Sequence, residues 1–220
     1  EKNIISCLEA LSKQTYSNFE VWVGNDDSTD NTKKIVQDFI QKYPHFHLLD
    51  IHTQLGNAKG KANVLAHLAH QASGDFLAMT DADILVSKTW LETFVNPLDE
   101  KTGIISGVTT IHENGFFAKM QNLDWLFSFL MIKYLSNKKI PVTALGNNLF
   151  LRKEAYFQTG GYEKLPFSVT EDFQLFHEVV KNKWKFKHLF LKEIKAASKP
   201  IVTFYELLQQ RKRWTKGAMQ

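Results

Sequence analysis

A chain of 220 residues, 44% apolar and 23% charged, is long enough for one sizeable core and too short for two ordinary domains, so residues 1–220 read as a single domain. The one cysteine, Cys7, excludes an internal disulfide and fits a reducing compartment; no signal peptide is visible, and no apolar run reaches the roughly 20 residues that a membrane-spanning helix requires. The formal charge of +4 is concentrated late, from Lys181 to Lys199 and at Arg211, Lys212, Arg213 and Lys216, which suits phosphates, an anionic membrane surface or a plain solvated face.

The opening carries Ile4, Ile5, Leu8 and Leu11 at helical spacing with no strand before them. A sheet of alternating elements begins with a strand, so a first strand is expected to be missing. Phe19 to Gly24 reads as a strand that ends in Asn25-Asp26-Asp27-Ser28-Thr29-Asp30, a turn capping a helix from about 31 to 42. A strand at 47–51, the loop Gly56-Asn57-Ala58-Lys59-Gly60-Lys61, a helix carrying Leu65, Leu68 and Ala69, and a strand at 76–79 follow. This order predicts an α/β fold, a Rossmann-like and mostly parallel sheet with helices on both faces. Ligands of such sheets bind at the carboxyl ends of the strands, where Asp26 and Asp83 fall.

Further along, the pattern predicts a helix near 87–94 and a strand over 103–111. An aromatic helix at 123–135 contains Asp124 and Lys133, is too short to cross a bilayer, and reads as buried or interfacial. A strand at 144–150, a turn at Gly160-Gly161-Tyr162, a helix from Thr170-Glu171-Asp172 to about 180, and a helix at 203–216 complete the chain.

Asp81 and Asp83, one residue apart at the end of an apolar strand, suit Mg²⁺ or Mn²⁺ with diphosphate oxygens completing the octahedron; they also suit a solvated turn. Asp26 and Asp27 fit a nucleotide's base or ribose, or the cap of the next helix. Lys59 and Lys61 flank a glycine ahead of a helix, where a diphosphate could meet positive charge and free N–H groups. Neither Gly-x-x-x-x-Gly-Lys-Ser/Thr nor Gly-x-Gly-x-x-Gly occurs. Glu171-Asp172 offers a general base, or acidic complements to a helix dipole. Gln210, Arg213 and Trp214 share a helix face and suit phosphate and a stacked ring.

In this order the pieces resemble the catalytic domain of glycosyltransferase family 2, inverting enzymes of the GT-A fold that include cellulose, chitin and hyaluronan synthases. The resemblance spans nearly the whole chain and rests on eight stretches: Asn-Asp-Asp-Ser-Thr-Asp (25–30), Lys-Gly-Lys-Ala-Asn (59–63), Gly-Asp (74–75), Asp-Ala-Asp (81–83), Gly-Asn-Asn (146–148), Gly-Gly-Tyr (160–162), Thr-Glu-Asp (170–172) and Gln-x-x-Arg-Trp (210–214). It implies that Asp26 or Asp27 meets the nucleotide, that Asp81 and Asp83 meet the metal and diphosphate, and that Asp172 is the catalytic base. It further implies that Gln210, Arg213 and Trp214 line the donor diphosphate or the acceptor entrance, with Glu171 and Trp214 on the acceptor side.

The reaction so implied moves a sugar from a nucleotide-sugar, a UDP-sugar first, to a hydroxyl of a glycan or lipid-linked acceptor, with a lean toward polysaccharide extension. Family members begin with a strand ending near Pro-x-x-Asn-Glu, of which only Glu1 has a counterpart here, so the chain is expected to be a fragment of a longer protein. Similar proteins often continue into membrane helices, so the domain is expected on the cytoplasmic face of the cell membrane, with no nucleic-acid partner. The alternatives are a nucleotidyltransferase that forms a nucleotide-sugar, and a non-catalytic nucleotide- or glycan-binding module.

Overall fold

The computed structural model describes residues 1, 3–112 and 115–218. Its elements run α1 (Ile4–Ser12), β1 (Val21–Asn25), α2 (Thr32–Ile40), β2 (Phe46–Asp50), α3 (Lys61–Gln71), β3 (Phe76–Thr80), β4 (Leu85–Val86), α4 (Trp90–Val95), β5 (Thr102–Ser106) and β6 (Thr109–Ile111). Then come α5 (Phe116–Asn137), β7 (Asn148–Arg152), α6 (Lys153–Gln158), α7 (Gly161–Lys164), α8 (Glu171–Lys181), β8 (Lys185–His188), a 3-10 turn at Lys192–Ile194, β9 (Ala196–Ser198) and α9 (Phe204–Ala218).

The strands form a parallel β1-β2 pair, a central sheet in the order β3-β7-β5-β8, and a small sheet in the order β4-β9-β6. The pairing is mixed rather than mostly parallel: β3/β7, β5/β7 and β4/β9 are antiparallel, while β1/β2, β5/β8 and β6/β9 are parallel. In the central sheet the antiparallel character comes from β7, which follows the long helix α5 and enters against the direction of both its neighbours.

Side-chain alternation along the central strands divides the core between the two faces of the sheet. Leu149 and Leu151 of β7 and Ile104 of β5 pack with α3 and α8, through Ala62, Ala66, Ala69, Leu175 and Val179. Phe150 and Ile105 face the other way, onto Leu8 of α1, Val36 of α2, and Trp90 and Phe94 of α4. The three alanines of α3 lie four and three residues apart, a stripe that lets this helix approach the sheet closely.

The strand expected over 103–111 is two strands. Gly107 donates to the Asn148 carbonyl at 2.9 Å, and a Cβ on it would lie 2.6 Å from the Asn148 amide, so the chain breaks there and β6 leaves for the small sheet. The strand expected over 144–150 starts only at Asn148, because residues 144–147 form the loop that meets α8. The aromatic helix is longer than expected and half-covered: Ala118, Gln121, Phe129 and Ile132 are buried, whereas Phe116, Leu123, Phe127 and Leu130 are exposed. No described helix is long and apolar enough to cross a membrane.

Candidate active site

β3 delivers the chain into Asp81, and α8 begins with Glu171 and Asp172; the first turn of α3 brings Lys61 between them. The Lys61 ammonium pairs with Asp81 Oδ1 and lies 3.7 Å from Glu171 Oε1. Loss of solvent around it pulls the ammonium down, but Asp81, with Glu171 and Asp172 behind it, holds Lys61 above its ordinary value. Burial, reinforced by the charge of Asp172, pushes the Glu171 carboxyl above the usual carboxylate range, against the pull of Lys61.

Asp172 is fixed by the main chain. Its Oδ2 accepts from the Gly146 N–H at 2.7 Å and its Oδ1 from the Phe173 N–H at 2.8 Å. A Cβ on Gly146 would stand 3.0 Å from the Asp172 carboxylate, so glycine permits this approach. The Tyr162 hydroxyl is buried without a hydrogen-bond partner among the described residues, and its pKa is raised well above the usual value by burial and by the charges of Glu171, Asp172 and Asp81. Cys7 donates from Sγ to the Asp81 carbonyl at 3.6 Å, and burial, with Asp83 and Asp81 nearby, pushes its thiol up to about 12.

Asp83 is exposed on the same turn and has no hydrogen bond or ion pair among the described residues. Asp81 and Asp83 form a set of hard oxygen donors that fits Mg²⁺ or Mn²⁺, with Lys61 standing as a cation against Asp81. No group of three or more His, Cys, Asp or Glu side chains converges among the described residues, so such a site would draw its remaining ligands from substrate or water.

Asp26 and Asp27 follow β1 on its carboxyl side. Asp27 adopts a φ of 51° and pairs with His52 at 3.4 Å, whereas Asp26 is exposed without a described partner. Asn25 shapes this turn by accepting from the Ser28 N–H at 3.2 Å and donating to Asp50 at 2.7 Å. Lys59 lies over the Phe167 ring, 5.9 Å from its centroid, whereas Lys61 joins the carboxylate cluster.

α9 packs against the start of α8: a Cβ on Gly217 would lie 2.7 Å from the Thr170 side chain. Trp214 faces Trp125 at 5.5 Å, and the Arg211 guanidinium covers Trp214 at 4.5 Å while holding Asp124 at 2.6 Å. Gln210 accepts from Arg211 at 2.8 Å, and Arg213 is exposed. Of the expected grouping, Gln210 and Trp214 gather on Arg211, which sequence reasoning passed over, and no contact joins Arg213 to them among the described residues. Tyr162 was also passed over as a site residue, although the Gly160-Gly161-Tyr162 stretch marked its position.

Residues 1–220 match the model of Glycosyl transferase family 21, the family to which the earlier resemblance is now refined. The chain is 26% identical over 231 aligned positions to a beta-monoglucosyldiacylglycerol synthase of Nostoc sp., covering 100% of this chain and 47% of that protein. It is 27% identical to a poly-beta-1,6-N-acetyl-D-glucosamine synthase of Staphylococcus epidermidis, covering 96% of this chain and 50% of that protein. The chain therefore spans about half the length of the curated relatives it matches. In fold it is similar to the mannosyltransferase PcManGT from Pyrobaculum calidifontis, solved with GDP-Man and Mn²⁺, with a TM-score of 0.71 at 18% identity, covering 96% of this chain and 57% of that one.

Proposed function

Because the chain belongs to glycosyl transferase family 21, we propose that it transfers a sugar, with inversion, from a nucleotide-sugar to a hydroxyl of a lipid-linked or glycan acceptor. The observation that carries this reading is the convergence of Asp81, Lys61, Glu171 and Asp172 at the carboxyl end of β3. The named products of the two relatives, a glycolipid and a polysaccharide, support an acceptor of either kind.

In this mechanism Asp172, held by two main-chain N–H groups, takes the proton of the acceptor hydroxyl as that oxygen attacks the anomeric carbon. The bond from that carbon to the diphosphate breaks in the same displacement, and the nucleoside diphosphate leaves with the electron pair. Asp81 and Asp83 would hold a divalent cation, which when bound supplies neutralising charge to the departing diphosphate. In this reading Asp26, exposed on the carboxyl side of β1, accepts from the nucleotide's base or ribose hydroxyls. Arg211 and Trp214 offer positive charge and a flat ring beside the start of α8.

Calorimetric titration of UDP and GDP, each with Mn²⁺ and with EDTA, tests the donor site. One nucleotide is expected to bind in Mn²⁺ only, and Asp83→Ala is expected to weaken that binding by about 2 kcal/mol, roughly thirtyfold. Metal-independent binding that is untouched by the substitution counts against this use of the carboxylates. Pyrophosphate release from a nucleoside triphosphate would favour a nucleotidyltransferase instead.

The proposed setting is the cytoplasmic face of a membrane. Exposed Phe116, Leu123, Phe127 and Leu130 form a stripe along α5, and exposed Phe204, Tyr205 and Leu208 lie on the neighbouring α9, whose later turns carry Lys212 and Arg213. Such apolar faces with basic neighbours suit an anionic lipid surface. Anionic vesicles are expected to co-sediment the chain, and a Phe127→Asp, Leu130→Asp double variant to bind more than tenfold less tightly, since each lost side chain withdraws about 1.5–3 kcal/mol of burial. Unchanged sedimentation of the double variant would move the contact off α5.

A further inference from the structure

Three carboxylates, those of Asp81, Glu171 and Asp172, act on the single ammonium of Lys61, and they are not equally free to hold it. Asp172 is committed to the N–H groups of Gly146 and Phe173, one on each oxygen. Asp81 and Glu171 remain. The ammonium is paired with Asp81 Oδ1 and lies 3.7 Å from Glu171 Oε1, beyond hydrogen-bond length and within ion-pair reach. Glu171 is therefore a second partner on which Lys61 has not closed.

The ammonium can change partner without moving the fold. Lys61 is the first residue of α3, and the Val64 N–H holds the Gly60 carbonyl at 3.1 Å, so the main chain of this turn is anchored. The Lys61 side chain is 40% exposed and ends a flexible four-carbon stem, whereas the Glu171 side chain is 17% exposed and waits in place. A shift of about 1 Å brings the ammonium from ion-pair distance to a charge-assisted hydrogen bond with Glu171.

What the choice of partner decides is the state of Asp81. An ammonium bonded to Oδ1 takes a lone pair that a divalent ion would use, and its charge repels that ion. While Lys61 stays on Asp81, the hard-oxygen pair of Asp81 and Asp83 is reduced in effect to the exposed Asp83. Once Lys61 has left, both carboxylates are open. A diphosphate arriving beside them offers the ammonium several negative oxygens, a partner that lysine binds well.

Resting on the reading of Asp81 and Asp83 as the carboxylates that hold the cation, we propose that Lys61 is an internal counter-ion that sets the order of binding. Paired with Asp81 it keeps a divalent cation out; when the nucleotide diphosphate arrives it passes to the phosphates and Glu171 and yields Asp81 to the cation. Metal and nucleotide then enter together, rather than metal first.

The test is titration of the chain with Mn²⁺ in the absence of nucleotide, the free ion being read from its paramagnetic resonance spectrum. Lys61→Met is expected to bind Mn²⁺ about tenfold or more tightly than the parent, and to bind UDP or GDP in Mn²⁺, whichever the parent takes, about fivefold or more weakly. Damage to the fold would weaken both, so opposite shifts mark the counter-ion. Glu171→Gln removes the second partner and is expected to weaken Mn²⁺ binding about threefold in the parent and less than about twofold in the Lys61→Met background. Lys59→Met removes the same charge from a side chain lying over Phe167 and is expected to leave Mn²⁺ affinity unchanged. Unchanged Mn²⁺ affinity in Lys61→Met, or an equal gain in Lys59→Met, overturns the proposal and spares the metal reading so long as Asp83→Ala still weakens Mn²⁺ binding. No Mn²⁺ binding by any of the chains, with or without nucleotide, overturns both.

Discussion

Asp172→Asn leaves nucleotide binding intact and lowers sugar transfer by about 10²–10⁴-fold. The carboxamide has the shape of the carboxylate and can still present an oxygen to the Gly146 N–H, which the native side chain meets at 2.7 Å, so the loop before β7 and the start of α8 keep their places. What disappears is a group able to take a proton from the attacking hydroxyl. Measured side by side, the dissociation constant of the nucleotide stays constant while the transfer rate collapses. The neighbouring Glu171→Gln removes a partner 3.7 Å from Lys61 and is expected to cost less than about fivefold, the value of a loose ion pair. Equal transfer by Asp172→Asn and the parent would take the proton-accepting role away from this residue.

The largest stability loss is expected from Asn148→Leu. Asn148 is fully buried at the start of β7; its Oδ1 accepts from the Trp90 indole at 2.8 Å, and its Nδ2 donates to the carbonyls of Val108 and Ile194, both at 2.9 Å. One amide thus joins α4, the connection between β5 and β6, and the 3-10 turn. Leucine fills a similar volume and leaves the Trp90 indole N–H and the Ile194 carbonyl unpaired in the core, at about 1–3 kcal/mol each, while the Val108 carbonyl keeps its bond from the Ala196 N–H. A loss of about 2–6 kcal/mol is large against the roughly 5–15 kcal/mol that usually separates a folded domain from its unfolded chain. Urea unfolding followed by tryptophan fluorescence reads the difference. A loss under about 1 kcal/mol would mean that the three segments are held together by apolar packing alone.

Asn148 also marks where sequence reasoning stopped. As one letter in a Gly-Asn-Asn stretch it pointed to a family, and nothing in its neighbours predicted contacts 58, 40 and 46 residues away. The elements that periodicity does reveal are those with enough residues to show a period: α2 and α3, and the strands β1 and β3, lie within a few residues of their expected places. β4 and β9, two and three residues long, are too short to carry one. β8 was hidden differently, since the two-residue spacing of Lys183, Lys185 and Lys187 was read as charge although it also marks a strand, with Phe186 turned partly inward.

The candidate site divides the same way. Asp81, Lys61, Glu171 and Asp172 were found from residue type and order, and the fold brings Lys61 to groups 20 and 110 residues further along the chain. The pairing of Lys61 with Asp81, the unpartnered Tyr162 hydroxyl and the wedging of Arg211 between two tryptophans depend on how α3, α7 and α9 approach α8 and α5. No local pattern encodes those approaches.

Cys7 lies under the Asp81 carbonyl with its thiol pushed up to about 12, and it is the only cysteine of the chain. At neutral pH almost none of it is thiolate, so the folded chain offers an alkylating reagent little reactive sulfur there. A cysteine placed anywhere on the surface can carry a dye while Cys7 stays silent, and Cys7 needs no replacement first.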